Sequence, residues 1–365
     1  MREDRLTRRQ LGALLWGIMV SPMIRQAPGG AVTAAGRGVW LSALLSLPAA
    51  ALLGVLMGAL LASRSPGEGL GERLCRDLGP GAGRIAAGLW AVWFVFYGGF
   101  VLRAGADRFV SAVYPESEPW VFMGVMLALA LMAGLGRLRV LGRCAMLVSP
   151  ALGLVFVLVF LSCGKNMDSA NLLPLTSRDA AGALSGLLRL MSALAVGAEA
   201  GFLAGKTEPG RLHGTFAAAF LGQAALGLAL CVTTVGTFGP AMTERMNYPF
   251  FVMIRSIRIP NLLERVEALV AAQWVAADFL LLSALLHSAS GAAALALRGP
   301  GPSPRPAVVW GCAALMGLWG WLCAPTALDL GRLGVGVVAP GHAALVFAVL
   351  PVCVLIGRLR RRGRG

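Results

Sequence analysis

The sequence predicts an all-α integral membrane protein of about ten transmembrane helices. Two observations carry this: 57% of the 365 residues are hydrophobic and only 13% are charged, about half the charged share of a soluble domain, and the mean hydropathy is +0.75. Such figures exclude a soluble globular chain, and they exclude a disordered one, which needs low hydrophobicity and high charge to stay solvated. At roughly 20 to 25 apolar residues per crossing, the length leaves room for one membrane domain with short loops.

Apolar runs between Gly, Pro and charge clusters place the spans near 11–27, 38–62, 84–113, 119–135, 144–163, 183–205, 214–239, 264–289, 305–324 and 340–357. Residues 1–10 read as a cytoplasmic segment, 11–357 as a single transmembrane domain and 358–365 as a basic cytoplasmic tail. The first run resembles a signal peptide, with Arg2, Arg5, Arg8 and Arg9 before a short apolar core. Pro22, Arg25 and Pro28 after that core, and nine further spans, predict a retained helix instead.

The net charge of +15 belongs to this topology rather than to nucleic acid, because spans confine charge to loops and ends. With the N-terminus inside, twenty of the 32 cations fall on cytoplasmic segments, among them the run from Arg358 to Arg364, and both termini are expected in the cytoplasm. Seven scattered cysteines without a CxxC pair read as buried apolar residues. His213, His287 and His342 are equally scattered, so neither a metal ligand set nor a cofactor motif is expected, and no enzyme.

Two spans are interrupted. The first carries Ser21-Pro22-Met23-Ile24-Arg25, where Pro22 removes a backbone donor and disfavours helical geometry at Ser21. The sixth carries Gly197-Ala198-Glu199-Ala200-Gly201, small residues around a carboxylate too deep to reach either surface. Corresponding interruptions in two halves of a membrane protein point to a five-plus-five inverted repeat with a binding site at the breaks.

Charges inside spans are costly and are paired or functional, which selects Arg103, Asp107, Arg108, Arg189, Glu199 and Asp278. Arg103 and Asp107, spaced i,i+4, are expected to pair with each other. Arg189 lies ten residues before Glu199, roughly 15 Å along a helix and beyond direct contact. Glu199 and Asp278 therefore each need a partner from another helix, a bound cation or a proton. In the loop from Gly239 to Leu263, Asn247 and Pro249 can open a helix in which Phe250, Phe251, Ile254 and Ile257 alternate with Arg255 and Arg258. It reads as an amphipathic outer-face helix, either a lid over a cavity or an interfacial anchor.

Tyr248-Pro249-Phe250-Phe251, Ile254-Arg255-Ser256-Ile257, Leu263-Glu264-Arg265-Val266-Glu267 and Trp274 together resemble the signature of the spore germination permease family, the B subunit of nutrient germinant receptors. Leu6-Thr7-x-x-Gln10, Gly38-Val39-Trp40-Leu41-Ser42 and Leu172-Leu173-Pro174 extend the match. The strongest part is the stretch holding Pro249, Arg255, Glu264, Arg265 and Glu267. The family is similar to the amino acid, polyamine and organocation transporters, with a LeuT-like fold and a ligand site between broken helices one and six.

The resemblance implies a subunit of the spore inner membrane that senses a small nutrient such as an amino acid, with germinant receptor A and C subunits as partners. Secondary amino acid permease coupled to protons or sodium, and gated water or ion channel, are the rival activities. The candidate ligand-binding residues are Ser21, Pro22, Met23, Arg25, Tyr97, Gly197, Glu199, Gly201 and Asp278. The first break lacks the usual glycine-rich turn of that superfamily, so Arg25 is placed either to meet an anionic group or to pair with Glu199.

Overall fold

The computed structural model describes residues 5–62, 67–114, 116–164, 167–173, 175–246, 248–255, 266–301 and 303–362. Among them no strand forms, and the backbone is almost wholly helical, as apolar surroundings require when no water is available to satisfy N–H and C=O groups. Helix α1 (Arg8–Arg25) opens on a reciprocal cap, Thr7 accepting from the Gln10 N–H while the Gln10 side chain accepts from the Thr7 N–H. This explains the Thr-x-x-Gln of the sequence. A π-helical turn at Gln26–Gly30 and a short α2 (Ala31–Ala35) follow. The chain then reverses at Gly36, whose φ of 53° suits glycine, into α3 (Val39–Ala62).

The interruption of the first span is therefore not at Ser21–Arg25, as the sequence predicts. Pro22 sits inside a continuous α1, and the ladder widens only at Gln26–Gly30, where Pro28 and two glycines follow. One missing N–H leaves a single carbonyl to be satisfied, which a well-packed helix tolerates. A second proline six residues on, followed by glycines, is absorbed as a π turn.

Next come α4 (Leu70–Leu78), α5 (Pro80–Ala112), α6 (Pro119–Leu135) and α7 (Leu138–Cys163). The second half holds α8 (Ser177–Glu199), a 3-10 segment at Ala200–Lys206, α9 (His213–Phe238), α10 (Pro240–Arg245), α11 (Pro249–Arg255), α12 (Val266–Arg298) and α13 (Pro306–Leu322). It closes with α14 (Ala327–Leu333), α15 (Ala339–Ala344) and α16 (Leu350–Arg362), joined by π turns at Gly334–Val338 and Leu345–Val349. The sixth span breaks at Glu199, inside the stretch the sequence singled out.

Seven helical stretches are long and apolar enough to cross a membrane. The first, Arg8–Ala62, holds two crossings in its 55 residues, and α6 and α13, at 17 residues each, are about 26 Å long. Ten crossing segments result among the described residues. The last is longer than the predicted 340–357, because the run from Ala327 is helical too. Within it Pro340 takes a helix-start position and π turns absorb the irregularity.

Corresponding members of the two halves pack together. The most extensive interfaces are α3 with α9 and α5 with α12, and α1 lies against α8. Gly54 shows why α3 and α9 approach closely: a Cβ there would lie 2.6 Å from Ala217 Cα. One end of the bundle carries Leu6, whose backbone N–H donates to Lys206 at 2.7 Å, together with α4, which abuts α16. The opposite end carries the Gln26–Gly30 turn, α11 and α14, which converge on a single cavity.

Candidate functional site

At that opposite end a cavity of about 590 Å3 opens between the end of α1, the π turn, α5, α11, α12 and α14. Arg25, Phe100, Arg108, Tyr248, Trp274 and Arg332 are among its lining. Arg25 comes from the last residue of α1, and its guanidinium lies over the Phe100 ring at 4.9 Å. Its Nε and Nη2 are buried and have no hydrogen-bond partner among the described residues. A charged fork left in that state carries a large desolvation penalty unless an anion answers it.

Below the cavity, Arg108 of α5 donates to Asp278 Oδ2 of α12 at 2.5 Å and to Ser21 Oγ of α1 at 3.2 Å, and it lies over the Trp274 ring at 5.0 Å. Arg108 and Asp278 are both buried. Asp278 thus finds its partner on another helix, as its depth demanded. A second carboxylate, Glu199 at the end of α8, accepts from Trp93 Nε1 of α5 at 3.0 Å and stands 2.6 Å from His342 Nδ1 of α15. Tyr97 lies close to both groups. Its ring is edge-on to His342 at 4.2 Å, and its hydroxyl lies in the field of Arg25, Arg108, Asp278 and Glu199.

Several expectations are corrected by this geometry. Arg25 does not pair with Glu199, which is held by α5 and α15 instead. Arg103 and Asp107 do not pair either: Arg103 donates to the Pro325 carbonyl at 3.4 Å, and Asp107 accepts from the Tyr248 hydroxyl at 2.7 Å. The i,i+4 spacing permits an ion pair, but each side chain meets a partner on another element first. Pro22 and Met23 are buried in packing and do not line the cavity. Gly197 and Gly201 are contact points, a Cβ at Gly197 lying 2.5 Å from Met19 Sδ and one at Gly201 3.2 Å from Met57 Cε.

Phe250, Phe251 and Ile254 of helix α11 face the protein, Val252 is exposed, and Asn247, Ile257 and Arg258 of the predicted outer helix lie outside the described residues. Phe250 packs on Phe156 and Phe160 at 6.0 and 6.2 Å, Phe251 on Trp274 at 5.3 Å, and Ile254 is buried. Pro249 lines the cavity, and Arg255 lies over the Phe251 ring at 4.9 Å. The Tyr248 hydroxyl fixes this segment to α5, and burial, with the Asp107 carboxylate beside it, pushes that phenol well above its ordinary range. Glu264 and Arg265 lie outside the described residues, and Glu267 is described only as backbone in the first turn of α12.

The residues sequence reasoning missed are Trp93 and His342. Scatter among the histidines hid His342, although an ionisable side chain inside an apolar span is a signal in itself. Among the described residues no three His, Cys, Asp or Glu side chains converge as a metal set would.

A family model described as "spore germination protein" matches residues 5–294. The chain belongs to the spore germination protein family. The matched motif residues have structural work: Trp40 Nε1 donates to the Leu172 carbonyl at 3.2 Å, and Trp274 backs Arg108.

Solved structures give the fold. A Na+-coupled sialic acid symporter in a substrate-bound outward-open state is 13% identical over 94% of this chain and 80% of its own, with a TM-score of 0.58. The nucleobase-cation-symport-1 family transporter Mhp1, closed with bromovinylhydantoin bound, is 13% identical over 94% and 78%, with a TM-score of 0.58. MhsT in complex with L-phenylalanine is 16% identical over 94% and 88%, with a TM-score of 0.59. No curated protein matches. The chain is thus a multi-pass membrane protein with the LeuT-like fold of these transporters.

Proposed function

We propose that this chain is the membrane subunit of a spore germinant receptor, which binds a small carboxylate-bearing nutrient, amino acid-like in size, in the cavity at the end of α1. The observation that carries the reading is Arg25, whose buried Nε and Nη2 face that cavity without a partner among the described residues. A volume of about 590 Å3 falls within the range of small-molecule sites. A planar guanidinium matches a carboxylate bidentately. Arg108 sits nearby but is already committed to Asp278, whereas Arg25 keeps two buried donor atoms, Nε and Nη2, without a partner among the described residues.

In this reading the positive-inside bias turns the cavity outward and sets both termini in the cytoplasm. The A and C subunits then read the bound state, and the ligand acts only through its different affinities for two conformations. The α11 segment, tied to α5 through Tyr248 and Asp107, lies on the cavity wall, where it is positioned to report occupancy. The second reading is a secondary permease. It is favoured by a further cavity of about 420 Å3 at the other end, lined by Glu72, Lys206 and His287, which would serve as the opposite mouth.

Purified protein in liposomes, offered labelled amino acids, sugars and nucleosides with and without a proton or sodium gradient, separates these readings. Saturable binding of an amino acid without accumulation, at least tenfold weaker in Arg25→Gln, is expected. Gradient-driven accumulation by the chain alone would replace the receptor with the permease. Binding unaffected by Arg25→Gln would remove the carboxylate anchor.

A further inference from the structure

Glu199 closes α8 and His342 lies in α15, which packs against it. Glu199 Oε1 and His342 Nδ1 are 2.6 Å apart, and the two side chains are only 1% and 3% exposed. One proton has to lie between two such atoms, because a carboxylate oxygen and a bare imidazole nitrogen are both acceptors. That proton uses one position on each group. The other positions, Glu199 Oε2 and His342 Nε2, are also buried and have no hydrogen-bond partner among the described residues.

The immediate lining is uncharged. Trp93 donates to Glu199 Oε1, and the Trp93 and Tyr97 rings stand edge-on to the imidazole at 5.0 and 4.2 Å. Of the elements packed against α8 and α15, α2, α3 and the two flanking π turns carry no titratable side chain. Helix α9 carries His213 at its first residue and Cys231, which bonds the Ala27 carbonyl. Lys206 ends the 3-10 segment seven residues beyond Glu199, and Arg189 is turned to the Val335 carbonyl at 3.3 Å. Arg25 of α1, Arg108 of α5 and Asp278 of α12, like Glu199 itself, lie in the field of the Tyr97 hydroxyl, and Arg37 of the 3-10 turn at Gly36–Gly38, which packs on α8, donates to the Leu173 carbonyl at 3.4 Å.

We propose that Glu199 and His342 form a proton-binding site that takes up and releases one proton as α8 and α15 part and close. With the carboxylate ionised and the imidazole neutral, the site carries one negative charge. A proton from water on Nε2 makes an imidazolium–carboxylate pair of zero net charge, and its loss restores the first state with no other bond formed or broken.

Asp278, buried as well, differs in that its partner is the guanidinium of Arg108, a group that offers donors and no acceptor for a further proton. Histidine is the side chain whose charge changes in the physiological pH range. Both open atoms are shielded from solvent, so a proton reaches them only when the helices separate. Proton exchange is therefore tied to motion, and the site supplies a pH-sensitive term in the balance between conformations. This inference does not depend on which solute the outer cavity takes.

The test uses the full-length chain in lipid nanodiscs with 15N-labelled histidine. With three histidines in the chain, loss of one signal set in His342→Gln assigns His342. The expected result is a change in the His342 ring-nitrogen signals between about pH 5 and 8, with a midpoint that moves by at least a tenfold change in proton concentration in Glu199→Gln. Signals unchanged over that range in the wild-type chain, or the same midpoint in Glu199→Gln, would overturn the proposal. Should Glu199→Gln not yield monodisperse protein, Glu199→Asp draws the carboxylate back by one methylene, and an unmoved midpoint there overturns it equally.

Discussion

Arg108→Met is expected to destabilise the chain by about 3–5 kcal/mol, because it leaves Asp278 as an uncompensated buried charge. The structure shows where this comes from. Both side chains are no more than 5% exposed, the bond to Asp278 Oδ2 is 2.5 Å long, and Asp278 Oδ1 already lacks a partner among the described residues. Loss of the Ser21 bond adds about 0.5–1.5 kcal/mol, and loss of the stacking on Trp274 a further ~0.5–2 kcal/mol. Removing the charge from both sides, as Arg108→Met with Asp278→Leu, leaves only these smaller losses, so the double variant should be more stable than Arg108→Met alone. Denaturant unfolding in mixed micelles, followed by circular dichroism on all four proteins, gives the coupling energy directly. A loss under about 1 kcal/mol in Arg108→Met, or strictly additive effects, would refute the assignment of this pair as a buried, mutually dependent ion pair.

Tyr248→Phe keeps the ring but deletes the 2.7 Å bond to Asp107, at a cost of roughly 1.5–3 kcal/mol for a bond to a charged acceptor. Hydrogen exchange should rise first in 249–255, and unchanged protection there would show that the bond does not hold α11. The Tyr248 phenol is raised in the fold by burial and by the neighbouring Asp107 carboxylate. Its contribution is therefore full below the unfolded value of about 10 and is lost only as pH climbs through the higher folded value. Burial likewise raises Glu72 on α4, while its bond to the Gly69 N–H at 2.9 Å opposes the shift. A carboxyl raised in the fold contributes stability at low pH that fades as pH rises from the unfolded value of about 4.3 through the folded value, so the benefit of Glu72→Gln should grow between about pH 4 and 8. Thermal unfolding at the two ends of that range checks it, and an equal effect at both would contradict the raised value.

Much of the architecture was legible in the chain. Apolar runs of bilayer length located the long apolar helices, Thr7 with Gln10 marked the start of α1, and the small residues around Glu199 marked the break that follows α8. These are local signals, set by periodicity, capping chemistry and the cost of burying a charge. Proline misled where packing overrode it. Pro22 did not break α1, and the last apolar helical run starts at Ala327, ahead of the predicted 340. Which ring or carboxylate meets which is another kind of question. Asp107 was assigned to Arg103 four residues away and in fact holds Tyr248, 141 residues on.

The sequence by itself determined a basic, ten-span helical membrane protein with a family signature and a short set of buried charges that needed partners. Only the tertiary structure decided the partners: Arg108 for Asp278, His342 and Trp93 for Glu199, and no protein group among the described residues for the buried nitrogens of Arg25. The physical reason is that burial imposes the need for compensation on each charge separately, and the chain's local pattern records that need. The group that meets it arrives from helices up to 170 residues away, as with Arg108 and Asp278, and no local periodicity encodes that encounter.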